Sequence, residues 1–160
     1  MGTLAAMAAP RWLDDDEQRA WRSYRRMKTL VDAATARDLM ADSALSASDY
    51  DVLSTLTEAE GHRWRAGDLA ARLLWSTSRL SHQVARMERR GLVAREESRH
   101  DRRAAVVALT PAGLETIEQA APAHIASVRR HFVDVLTSAE LATLAKLAAK
   151  VVEHHEAPAN

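Results

Sequence analysis

The chain has 160 residues, 47% hydrophobic and 28% charged, with 22 basic side chains balanced by 22 acidic ones; this is the composition of one soluble domain and excludes disordered and collagen-like chains. It contains no cysteine, which removes thiol nucleophiles, thiolate metal centres and disulfide redox sensing, and fits a reducing compartment. The apolar stretch from Leu4 to Ala9 has no basic residues before it and is too short for a signal sequence or membrane span, so the expected location is the cytoplasm.

From Asp14 to about Asp42, the residues Trp21, Tyr24, Met27, Leu30, Val31 and Ala34 recur at helical spacing behind an acidic start, which predicts one long helix. Ser46 with Asp49 caps a second helix carrying Tyr50, Leu53 and Leu56 and ending before Gly61. A short polar stretch, His62 to Arg65, leads to a short helix from Asp68 to Leu73 or Leu74. Ser76 is the next N-cap, and Gly91 stands where a left-handed residue would end that helix. At helical spacing Leu80, Val84 and Met87 share one face, while Arg79, His82, Arg86 and Arg89 share the other.

After Gly91 the period changes. Leu92 to Glu97 and Ala105 to Leu109 read as two strands of a hairpin with an arginine-rich tip. Thr110-Pro111 opens a long helix with Leu114, Ile117, Ala121, Ile125, Val128 and Phe132 along one side, and Pro122 is a candidate kink. Thr137 to Glu140 matches a capping box and starts a last helix with Leu141, Leu144, Leu147 or Ala148, and Val151 in a stripe that ends before Pro158. No repeat or linker divides the chain.

The zero net charge hides an asymmetry. Between Arg63 and Arg103 lie eleven arginines and five acids, a net +6, so the remainder carries −6. A basic centre of this kind points to a local polyanion contact; the alternative is a solvated arginine-rich face. The order of short helix, turn, capped helix and two-stranded hairpin is that of a winged helix-turn-helix, whose second helix enters the major groove. Arg79, His82 and Arg86 project from one side of that helix, and arginine, histidine and glutamine side chains bond to base edges or phosphates.

The run from Leu69-Ala70 through Ser78-Arg79-Leu80-Ser81-His82-Gln83-Val84-Ala85-Arg86-Met87-Glu88-Arg89-Arg90-Gly91-Leu92-Val93 resembles the MarR (multiple antibiotic resistance regulator) family of transcription factors. The family's wing signature, Asp-x-Arg, five residues, Leu-Thr, two residues, Gly, is met by Asp101, Arg103, Leu109, Thr110 and Gly113. The resemblance spans about residues 12 to 156. It implies a mainly α, winged helix-turn-helix domain with a two-stranded β wing, in which about 12–42 and 111–156 form dimerisation helices and about 46–110 the DNA-binding lobe. It implies that Ser76, Ser78, Arg79, Ser81, His82, Gln83 and Arg86 meet the major groove, with Ser76 and Ser78 near phosphates, and that Arg95 contacts the backbone. Arg103 would reach the minor groove, oriented by Asp101, with Arg102 sharing the role. A guanidinium held by a carboxylate has fewer rotamers to lose and suits a narrow minor groove.

The seven histidines lack tight metal-ligand spacing, so no metal is expected. Members of the family bind small aromatic or amphipathic ligands between the two lobes. Trp21, Tyr24, Tyr50, Trp64 and Trp75 are the candidate liners here, with Arg25 and Arg65 nearby, and core packing is the competing role for each. No phosphate loop, nucleophile elbow or paired-carboxylate pattern marks an enzyme, and no cofactor is expected. The reading is a homodimeric, sequence-specific DNA-binding regulator, a repressor released from a near-palindromic operator by a small aromatic or anionic effector. The alternative is a non-DNA-binding winged-helix protein that acts by protein association or ligand sequestration.

Overall fold

Six α-helices and three β-strands form among the residues that the computed structural model describes, 11–97 and 105–157. Asp14 and Glu17 close a capping box on α1 (Asp15–Ser43), and Ser46 and Asp49 close another on α2 (Ala47–Thr57). Both satisfy orphan N–H groups as their spacing requires. β1 (Arg63–Arg65) precedes α3 (Ala66–Arg72), and α4 (Thr77–Arg89) starts at Ser76, whose Oγ accepts from the Arg79 N–H at 3.1 Å. Gly91 follows at φ +73°, the left-handed position expected after the helix.

β2 (Val93–Glu97) and β3 (Ala105–Leu109) pair antiparallel, as expected of a wing. The stretch His62–Arg65, read as merely polar, contributes a third strand: β1 pairs antiparallel with the other edge of β3, giving the order β1-β3-β2. Three residues are too few to show an alternating pattern, so only the partner strand makes this a strand. Trp64 and Arg95 both face Val107 across the sheet, and Trp64 Nε1 donates to the Thr55 carbonyl at 3.2 Å, tying the sheet to α2.

The core lies beneath α4. Val52, Leu53 and Leu56 of α2, Leu69 of α3, Leu80, Val84 and Met87 of α4, and Val107 and Ile117 are all buried. Each such side chain contributes about 1.5–3 kcal/mol on burial. α5 (Pro111–His131) starts at Thr110 and runs on through Pro122 to His131, one residue short of Phe132. Its N-terminus is clamped to the turn after α4: Thr110 Oγ1 donates to the Gly91 carbonyl at 2.6 Å and accepts from the Gly113 N–H at 3.0 Å.

The outer helices bury little. α1 buries only Ala34 and Leu39, and α6 (Ser138–Glu156), capped by Thr137 and Glu140, buries nothing. α1 is held to α5 by Asp38, which accepts from Ser127 Oγ at 2.6 Å and Arg130 Nη2 at 2.6 Å and lies 2.8 Å from His131 Nε2. These partners, Ser127 first, then Arg130 and His131, hold the Asp38 carboxyl well below the usual carboxylate range.

Candidate nucleic-acid interface

α4 is buried on Leu80, Val84 and Met87 and exposed on Ser78, Arg79, Ser81, His82, Arg86 and Arg89. With Ser48 of α2, the cationic side borders a groove of about 570 Å³. Arg63, Arg72, Arg90 and Arg95 are paired with carboxylates, whereas among the described residues Arg79, Arg86 and Arg89 make no ion pair. Their charge therefore faces solvent as an unbalanced positive row, suited to a phosphate backbone. The Arg79 guanidinium lies 4.0 Å above the Trp75 ring, a cation–π contact that restrains it at the start of the helix.

The other expected contact residues divide. Ser76 is exposed and spends its oxygen on the cap. Arg95 is turned onto α4: Nη2 donates to the Ser81 carbonyl at 2.9 Å, and Nε lies 3.3 Å from Glu88. It locks the base of the wing to the helix while remaining 42% exposed. Asp101, Arg102 and Arg103 lie outside the described residues.

Gln83, which the resemblance puts on the DNA face, borders this groove but is 2% exposed, and its Nε2 donates to Asp49 Oδ1 at 2.6 Å. Asp49, also buried, accepts at Oδ2 from the Ser46 N–H at 2.9 Å, the Ser46 hydroxyl at 2.8 Å and Arg90 Nη1 at 2.8 Å. Burial works to raise its pKa, but the donations from Ser46 and Arg90 outweigh it and the net shift is downward. Gln83 Oε1 in turn accepts from Arg86 Nη2. The sequence carried one signal for this: at about 100° per residue Gln83 falls closer to Met87 and Leu80 than to His82. Nothing local pointed to Asp49 as its partner.

The fold that carries this helix and sheet is shared with known proteins. The MarR family model matches residues 45–104. The crystal structure of AbsC, a MarR family transcriptional regulator from Streptomyces coelicolor, is 44% identical, covers 91% of this chain and 97% of its own, and superposes with a TM-score of 0.85. The chain belongs to the MarR family. Sco3205, another MarR family transcriptional regulator from Streptomyces coelicolor, solved in complex with DNA, is 35% identical over 95% of each chain with a TM-score of 0.88. BpsR of Bordetella bronchiseptica, whose DNA binding is regulated by 6-hydroxynicotinic acid, shares the fold at 23% identity and a TM-score of 0.76, over 89% of this chain and 99% of its own. A search of the curated proteins finds no match. No helix among the described residues is long and apolar enough to cross a membrane.

In this MarR-family chain the five aromatic candidates do not converge on one pocket. Trp21 and Tyr24 stack on each other at 5.8 Å on the exposed side of α1. Trp64 is tied to α2, and Trp75 sits under Arg79. Tyr50 borders a cavity of about 380 Å³ between α1, α2 and α5, lined also by Asp32, Asp51, Ser54 and His124, and none of the other four aromatic candidates lines it. Neither Arg25 nor Arg65 lines it. The Tyr50 and His124 rings lie 4.2 Å apart, and burial holds the His124 pKa below its usual value, partly opposed by Asp51.

Proposed function

We propose that this chain is a cytoplasmic, homodimeric repressor whose two α4 helices enter successive major grooves of a near-palindromic operator. The observation that carries this reading is the row Arg79, Arg86 and Arg89, without a carboxylate partner among the described residues, with His82 on the exposed face of α4. In this reading Ser76, Ser78, Arg79, Ser81, His82 and Arg86 meet the major groove, and Arg95 and the wing residues Asp101, Arg102 and Arg103 meet the backbone and minor groove. Residues 46–110 form the reading head. Segments 12–42 and 111–156 form the dimer, because Trp12, Trp21, Leu30, Leu147 and Val151 are each more than half exposed in the single chain.

The effector enters the cavity between α1, α2 and α5. The Tyr50–His124 pair offers an aromatic wall, while Asp32 and Asp51 and the absence of lysine and arginine from its lining favour a neutral or cationic aromatic molecule over an anion. Such a ligand shifts DNA binding only by its preference for one separation of the two heads.

Footprinting on DNA flanking the chain's own gene, with light scattering for mass, tests this. The expected result is a dimer protecting two half-sites about one helical turn apart, with affinity falling steeply as salt rises. A monomer, or a protein that binds no duplex at low salt, would hand the function to protein association or ligand sequestration.

A further inference from the structure

We infer that Asp49 and Gln83 are specificity-determining positioning residues: a chain of hydrogen bonds runs from buried Asp49 of α2 through buried Gln83 and fixes the exposed Arg86 guanidinium. This rests on the reading that Arg86 meets a base. Asp49, 5% exposed, and Gln83, 2% exposed at the floor of the α4 groove, offer DNA almost no surface of their own.

The direction of the chain follows from donor chemistry. An ionised carboxylate only accepts, and Asp49 Oδ2 is already occupied by Ser46 and Arg90, so Oδ1 takes the Gln83 amide nitrogen. That leaves Gln83 Oε1 as the acceptor for Arg86 Nη2. The flipped amide would set oxygen against the carboxylate in a buried contact and NH₂ against the guanidinium in a part-buried one, two repulsions. The polarity of α2's first turn thus dictates which way Arg86 is held. A guanidinium has five N–H donors, so one bond to Gln83 leaves the others for a base edge. Held in place beforehand, Arg86 loses less freedom on meeting DNA and is aimed at one position along the groove. Arg90 completes the brace, reaching both Asp49 and the Ala44 carbonyl at the end of α1.

The test measures the ratio of affinities for a duplex selected from a random pool and its scrambled counterpart. The proteins are the full chain, Arg86→Ala, Gln83→Met, Asp49→Asn and the double variant Gln83→Met/Arg86→Ala. Gln83→Met keeps the volume and removes the acceptor. It should lower the ratio about tenfold, with scrambled binding and its salt slope unchanged, and should add nothing to Arg86→Ala. Asp49→Asn, nearly isosteric, should lower the ratio in the same sense because it no longer dictates the amide's direction. The ratio is taken on one preparation, so loss of folded protein cancels; should Gln83→Met not fold, Asp49→Asn decides. If Arg86→Ala lowers the ratio but Gln83→Met and Asp49→Asn do not, or if they weaken both duplexes equally and additively with Arg86→Ala, the brace is only structural and the inference fails. If Arg86→Ala itself leaves the ratio unchanged, the base-reading role fails and the brace falls with it.

Discussion

Three glycines give substitutions whose costs rank by geometry. A Cβ built on Gly113, in the first turn of α5, would stand 1.9 Å from the Leu92 carbonyl oxygen, 2.9 Å from its carbon and 3.0 Å from Leu109 Cδ1, where 3.4–4 Å is ordinary contact. Two of those atoms are backbone, so no side-chain rotation relieves the clash, and α5 must part from the turn after α4. That movement breaks the 3.2 Å bond from the Thr110 N–H to the Leu92 carbonyl. Overpacking at about 1–3 kcal/mol plus one backbone hydrogen bond at about 1 kcal/mol gives roughly 3 kcal/mol for Gly113→Ala. In a chain of this size it lowers Tm by roughly 6–12 °C. Gly91→Ala meets open space but keeps φ +73°, so it costs about 1–2 kcal/mol. Gly67→Ala, in α3 with nothing within 4 Å, gains up to about 1 kcal/mol from helix propensity. Thermal melts at one protein concentration should rank Gly67→Ala above the parent, then Gly91→Ala, then Gly113→Ala. A Gly113→Ala protein melting level with the parent would refute the close approach of α5 to Leu92.

Trp75→Ala removes the ring beneath Arg79 and should weaken DNA binding about two- to fivefold, from a contact worth about 0.5–1 kcal/mol, with Trp75→Phe intermediate; unchanged binding in a gel-shift titration would show that the stack does not matter. The His124 pKa is held below 6.5 by burial, so below that pH the unfolded chain takes up protons that the folded chain refuses, and stability falls as pH drops through about 6.5 and levels off below the folded pKa. His124→Phe keeps a ring against Tyr50 and should flatten that part of the Tm–pH curve between about pH 8 and 5.5; identical curves would remove the effect from His124.

Local chemistry was legible and long-range pairing was not. Ser46, Ser76, Thr110 and Thr137 all cap helices where the sequence places them, because a cap is settled within four residues. The Thr110 and Gly113 portion of the wing signature has a physical basis in the clamp onto Gly91 and Leu92. By contrast β1 exists only because β3 supplies its partner, and the Asp49–Gln83 and Asp49–Arg90 bonds join residues 34 and 41 apart, spacings that no periodicity encodes. The aromatic residues mislead for the same reason. Which tryptophan meets which cavity depends on how α1 and α5 pack, and exposed Trp21 and Tyr24 read in sequence like core.

Under the function proposed above, α2 is where the effector cavity and the DNA-reading helix meet. Ala47, Tyr50, Asp51 and Ser54 line the cavity, and Asp49, between them in the same helix, holds Gln83 and Arg90. A ligand seated against Tyr50 and His124 that displaces the first turn of α2 must also displace the Asp49 carboxylate. α4 then either follows as a body, which in the proposed dimer alters the separation of the two heads, or loses the bond proposed to direct Arg86. The first route lowers affinity for every operator whose spacing no longer fits, whereas the second lowers discrimination between sequences at constant spacing. In either case the response is bounded by the ligand's difference in affinity for the two arrangements, so a ligand that binds tightly but equally to both leaves the operator occupied.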